Sequence, residues 1–62
     1  MNEREIAALD AQAWAEICST HSSWWRTWTR AGDAQRAATA LELAILARDE
    51  RNKAIRSYDN AE

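Results

Sequence analysis

Sixty-two residues, 7.1 kDa in all, allow one small domain, because a chain this short buries only about 60% of the surface its unfolded form exposes. Fourteen alanines, a single glycine (Gly32), no proline and no phenylalanine favour helix and leave too few turn formers for an all-β fold. A formal charge of −2 gives no general affinity for a phosphate backbone.

The first predicted element begins at a capping pattern, Asn2-Glu3-Arg4-Glu5, in which Asn2 accepts from first-turn amides. It spans about 3–30. At 100° per residue Ile6, Leu9, Ala13, Ile17, His21, Trp24 and Trp28 fall on one side, flanked by Trp14, Cys18 and Trp25, and this side is the expected core face. The run Ser19-Thr20-His21-Ser22-Ser23 forms helix poorly, and a break there, with Ser22 or Ser23 capping a second short helix, is the alternative. One continuous helix is preferred, since the apolar residues stay in phase across the run.

Ala31-Gly32-Asp33 is the strongest punctuation in the chain, combining a glycine for the end of one helix with an aspartate to cap the next. A second helix over about 34–58 carries a stripe of Ala34, Ala37, Ala38, Leu41, Ala44, Ile45, Ile55 and Tyr58. Two such helices, each about 38 Å long, make an antiparallel αα-hairpin, so the expected class is all-α in one domain. Residues whose numbers sum to about 64 lie side by side, which sets Trp24 and Trp28 against the alanine-rich start of the second helix. Leu43 and Leu46 fall off the stripe and imply a second contact surface, supplied in the expected homodimer by a four-helix bundle.

Asp10, Arg48 and Asn52 intrude on the apolar stripes and are expected at bundle ends or rims. Cys18 cannot form an internal disulfide, and with His21 it supplies too few ligands for a zinc site, so no cofactor and no metal are expected. No acid, base or nucleophile cluster points to catalysis. No apolar run reaches the roughly 20 residues of a membrane span, and the polar start of the chain is unlike a signal peptide; a cytoplasmic protein is expected.

Four tryptophans, three of them close to Arg26 and Arg30, are the chain's conspicuous feature, and Trp and Arg dominate binding hot spots. The candidate partner-binding residues are Trp14, Trp25, Arg26, Trp28, Arg30, Leu43 and Leu46, presented to a host or cognate protein such as a transcriptional regulator or enzyme. An alternative uses Arg48, Arg51, Lys53 and Arg56 to bind nucleic acid, although interleaved Asp49, Glu50 and Asp59 also fit a solvated, ion-paired surface. A structural subunit of a larger assembly is the third possibility.

The hairpin length and the dimer it implies resemble the Rop family of plasmid RNA-binding proteins in architecture, without a matching motif. In being tiny, acidic, non-catalytic and rich in aromatic surface, the chain also looks like small phage-encoded proteins that bind and inhibit a host regulator or enzyme. That second resemblance implies a protein-binding inhibitor.

Overall fold

Asn2 begins the first helix as the capping pattern predicts: in the computed structural model, which describes residues 1–61, its Oδ1 accepts from the Glu5 backbone N–H at 2.8 Å. Helix α1 runs Glu3–Arg30 and helix α2 runs Ala34–Asn60, and the two pack against each other as a hairpin. The turn follows from Gly32, whose φ of +76° is readily available only to glycine. That residue lets the Asp33 N–H reach the Trp28 carbonyl (3.0 Å) and the Gly32 N–H reach that of Thr29 (3.2 Å), satisfying carbonyls that the end of α1 would otherwise leave open. Asp33 then caps α2 by accepting from the Arg36 N–H at 3.0 Å.

The Ser/Thr run does not interrupt α1, which stays helical from end to end. Thr20, Thr27 and Thr29 donate their hydroxyls to the carbonyls of Glu16, Ser23 and Trp25, four residues back, so these side chains are satisfied inside the helix. Ser22 is half-buried. Its small side chain suits a helix that another backbone approaches closely.

The expected core faces are corrected by the packing. The buried residues are all alanines: Ala7 on α1, and Ala37, Ala40, Ala44, Ala47 and Ala54 on α2. On α2 they recur three and four residues apart, the spacing of a two-helix seam. Half-buried Ala11, Trp14, Ala15, Cys18, His21 and Ser22 face them from α1. Ile6, Leu9, Ile17 and Trp24, expected inside, are instead exposed, as are Leu41, Ile45, Ile55 and Tyr58 of the second stripe. Ala13, Ala34 and Ala38 are exposed as well, and only Ala37 and Ala44 of that stripe are buried. Small side chains allow the backbones to come close, and a large side chain on the line between them would hold the helices apart.

The ends are latched by longer residues. Arg4 lies over the Tyr58 ring at 4.9 Å and donates to the Ala61 carbonyl at 3.2 Å, while Arg36 lies over the Trp28 ring at 4.7 Å. Both pairs join α1 to α2, with residue numbers summing to 62 and 64, in agreement with the expected register. The result is a rod 47 Å long with a radius of gyration of 14.1 Å, against about 10.6 Å for a compact chain of this length. No helix among the described residues is long and apolar enough to cross a membrane.

Two substitutions probe this construction. Ala47 is 2% exposed, so Ala47→Leu forces the helices apart and is expected to destabilise the hairpin by about 1–3 kcal/mol in chemical denaturation. At Gly32 an added Cβ meets no atom within 4 Å, so Gly32→Ala costs only the left-handed backbone conformation, about 1 kcal/mol by the same measurement.

Candidate functional surface

An alanine seam leaves the large apolar side chains on the two broad sides of the rod. Counting 100° per residue from the seam, Asp10, Ile17 and Trp24 lie on one side of α1 with Ile6 and Ala13 beside them, and Leu43 and Leu46 lie on the same side of α2. An open groove at the turn end confirms the pairing, since it is lined from α1 by His21, Trp24 and Trp28 and from α2 by Arg36, Thr39 and Leu43. A second groove at the open end joins Ile6 and Asp10 to Ser57. Trp24 and Trp28 stack within this first side, their ring centroids 6.0 Å apart and their planes 18° from parallel.

The opposite side is built differently. Leu41, Ile45 and Ile55 come from α2, while α1 contributes the small or polar Ala8, Gln12, Ala15, Ser19 and Arg26. Near the turn, Trp25 lines a shallow groove with Thr29, Ala34, Ala37 and Ala38. The Arg26 Nε donates to the Ser22 carbonyl at 3.5 Å, which leaves its guanidinium exposed.

The predicted partner-binding residues are therefore not one surface. Trp28, Leu43 and Leu46 belong to the first side, and Trp25 with Arg26 to the opposite one. Arg30, five turns after Gln12, is exposed on that opposite side as well. Trp14 is half-buried beside the seam and closes the hairpin as much as it presents an anchor. Trp24, expected in the core, is 49% exposed and joins the surface instead. Sequence periodicity missed it because a tryptophan on the most apolar arc of a helix reads as core.

The basic residues of α2 do not form a stripe. Arg48, Arg51, Lys53 and Arg56 spread over about 200° of the helix circumference. Lys53 pairs with Glu50 at 3.0 Å, Arg48 lies 3.9 Å from Asp49, and the Arg51 Nη2 donates to the Asn52 Oδ1 at 3.2 Å. Two of these cations are thus next to a carboxylate that opposes phosphate. His21 and Cys18 are both half-buried along the α1 side of the seam, and among the described residues no group of three or more His, Cys, Asp or Glu is placed to hold a metal ion. No protein-family model, curated protein or solved structure matches this chain.

Arg51 is the anomaly of the seam. It occupies the position between Ala47 and Ala54 where the pattern calls for another small apolar residue, and its Nε is buried without a hydrogen-bond partner. A buried donor left open costs about 1–3 kcal/mol. Arg51→Met keeps the length of the side chain and removes that donor, so it is expected to raise hairpin stability by about 1 kcal/mol in thermal or urea unfolding. A loss of stability would show instead that the guanidinium of Arg51, held by Asn52 within α2, contributes more to the seam than its open donor costs.

Proposed function

We propose that this protein is a non-catalytic protein–protein interaction module, a small cytoplasmic inhibitor or modulator that binds a partner protein through its Trp- and Arg-bearing helical surface and assembles with a second copy of itself. The observation that carries the reading is the inversion of burial: the hairpin closes on alanines and leaves tryptophan, leucine and isoleucine outside on both sides. A large apolar side chain contributes about 1.5–3 kcal/mol when fully covered, so a chain that exposes many of them has its binding energy at the surface. Trp25 and Arg26 are the anchors proposed for the partner, combining rigid aromatic area with a guanidinium free to pair across a contact. The partner fits the description of a host or cognate regulator or enzyme, as in the small phage-encoded inhibitors that the chain resembles.

A tagged chain incubated with host lysate and treated with nuclease is expected to retain a discrete protein in fixed ratio. Trp25→Ala combined with Arg26→Ala is expected to lower that capture at least about tenfold while helicity by circular dichroism is kept; because Trp25 borders the buried Ala37, Arg26→Ala alone, at an exposed position, separates lost binding from lost folding. Unchanged capture by the double variant would remove these anchors. Retention of nucleic acid alone, lost steeply with salt, would replace this reading with a nucleic-acid-binding one.

A further inference from the structure

We infer that the side of the rod bearing Ile17, Trp24, Leu43 and Leu46 is covered by the same side of a second copy of this chain, with the two rods antiparallel. The inference rests on reading the outer apolar surface as a contact surface and assigns one of its two sides. Three observations choose the occupant and its orientation.

The first is area. A compact monomer of this mass exposes about 4,100 Å², whereas this chain exposes 4729 Å², an excess of roughly 650 Å². One broad side of the rod, 47 Å long and about 20 Å across two helix diameters, offers on the order of 900 Å². Each partner in a stable protein–protein contact buries about 800 Å². A second copy covering one side supplies that amount and leaves the other side free.

The second is which side both helices build. Ile6, Ile17 and Trp24 come from α1 and Leu43 and Leu46 from α2, and Leu46 is 60% exposed, more than any other leucine or isoleucine of the chain. Stacking two such sides produces a four-helix core with large residues from all four helices. On the opposite side the large residues come from α2 alone, apart from Trp25 near the turn.

The third is charge. At the open end this side carries Glu3 and Asp10; at the turn end it carries Arg36, whose Nε lies 3.5 Å from the Asp33 Oδ2 and whose side chain stays 64% exposed, open to a further carboxylate. Parallel rods would set Asp10 near Asp10 and Arg36 near Arg36. Antiparallel rods set Arg36 of each copy near the acidic end of the other, and place Trp24 against the Ile6–Ala13 stretch, a large residue over smaller ones. Ile17 and Leu46, at the middle of the rod, then lie at the two-fold axis. Glu50 and Lys53 neutralise each other within one chain at 3.0 Å and do not disturb this pairing.

Sedimentation equilibrium of the full chain at micromolar concentration tests the inference, and the expected mass is that of two copies. Leu46→Glu sets two carboxylates together at the axis and is expected to weaken self-association about 100-fold, whereas Ile45→Glu on the opposite side leaves the mass unchanged. Asp10→Arg is expected to weaken association about tenfold, and adding Arg36→Glu to restore it. Within one chain these two positions are roughly 25 Å apart along the rod, so restoration can act only between copies. Should Leu46→Glu unfold, as read by circular dichroism, the charge exchange decides. A monomeric mass, dissociation by Ile45→Glu, or failure of the exchange to restore the pair would overturn the inference. A monomer that still captures a partner would sink the self-pairing alone; a two-copy chain that captures nothing would uphold it and sink the partner-binding function.

Discussion

Close approach of two helix backbones is the constraint from which the rest of this molecule follows. Alanines at Ala37, Ala40, Ala44, Ala47 and Ala54 keep one wall of the seam flat, and Ala7, Ala11, Ala15, Cys18 and Ser22 do the same on the other. Each buried methyl contributes little, about 0.8 kcal/mol, so the seam orders the hairpin without storing much energy in it. Stabilisation is added at the ends, where Arg4 on Tyr58 and Arg36 on Trp28 latch α1 to α2. Apart from half-buried Trp14, His21, Trp28 and Arg51, the bulky side chains find no room between the helices and lie outside.

That constraint also explains which parts of the structure are legible in the sequence. Asn2, Gly32 and Asp33 act through local backbone geometry, and their roles as cap, left-handed turn residue and second cap can be read from a few neighbouring residues. The helix ends follow, with α2 extending to Asn60, two residues beyond the expected boundary. The buried face does not. Hydrophobic periodicity locates the most apolar arc of each helix, and on α1 that arc holds Ile6, Leu9, Ile17 and Trp24. In a helix with one neighbour the arc and the seam coincide. Here they diverge by roughly a quarter of a turn, because the spacing of small residues, 37-40-44-47, marks the intramolecular contact and the large ones lie exposed outside it. Alanine is both the best helix former and a seam residue, so its abundance concealed the second role.

The same divergence divides the candidate site. Proximity and residue type group Trp28 with Trp25, Arg26 and Arg30, and Leu43 and Leu46 join them as outliers from their stripe, yet a hairpin has two broad sides, and residues one position apart can face opposite ones. Trp24 and Trp25 are the clearest case: one stacks on Trp28 in a groove with Leu43, the other lines the groove beside Ala34 and Ala38. Adjacent tryptophans on one helix therefore line two different grooves, and no count of aromatic residues in the sequence separates them.

A rod of this kind gains its specificity from what surrounds the apolar area rather than from the area itself. Leucine and isoleucine faces pair readily with any comparable face, and a chain that exposes two of them is at risk of open-ended association. Polar residues on each side limit that outcome. Asp10 and Arg36 sit at opposite ends of one side, where in the proposed pairing of two copies they would favour an antiparallel arrangement over one that sets like charges together. On the other side Arg26, Arg48 and Asn52 interrupt the run of Leu41, Ile45 and Ile55, so that a second copy applied there would bring arginines together. A partner with acidic groups flanking an apolar patch meets no such penalty. The arginines that make this side unsuitable for self-pairing are the feature that would select a different protein to cover it.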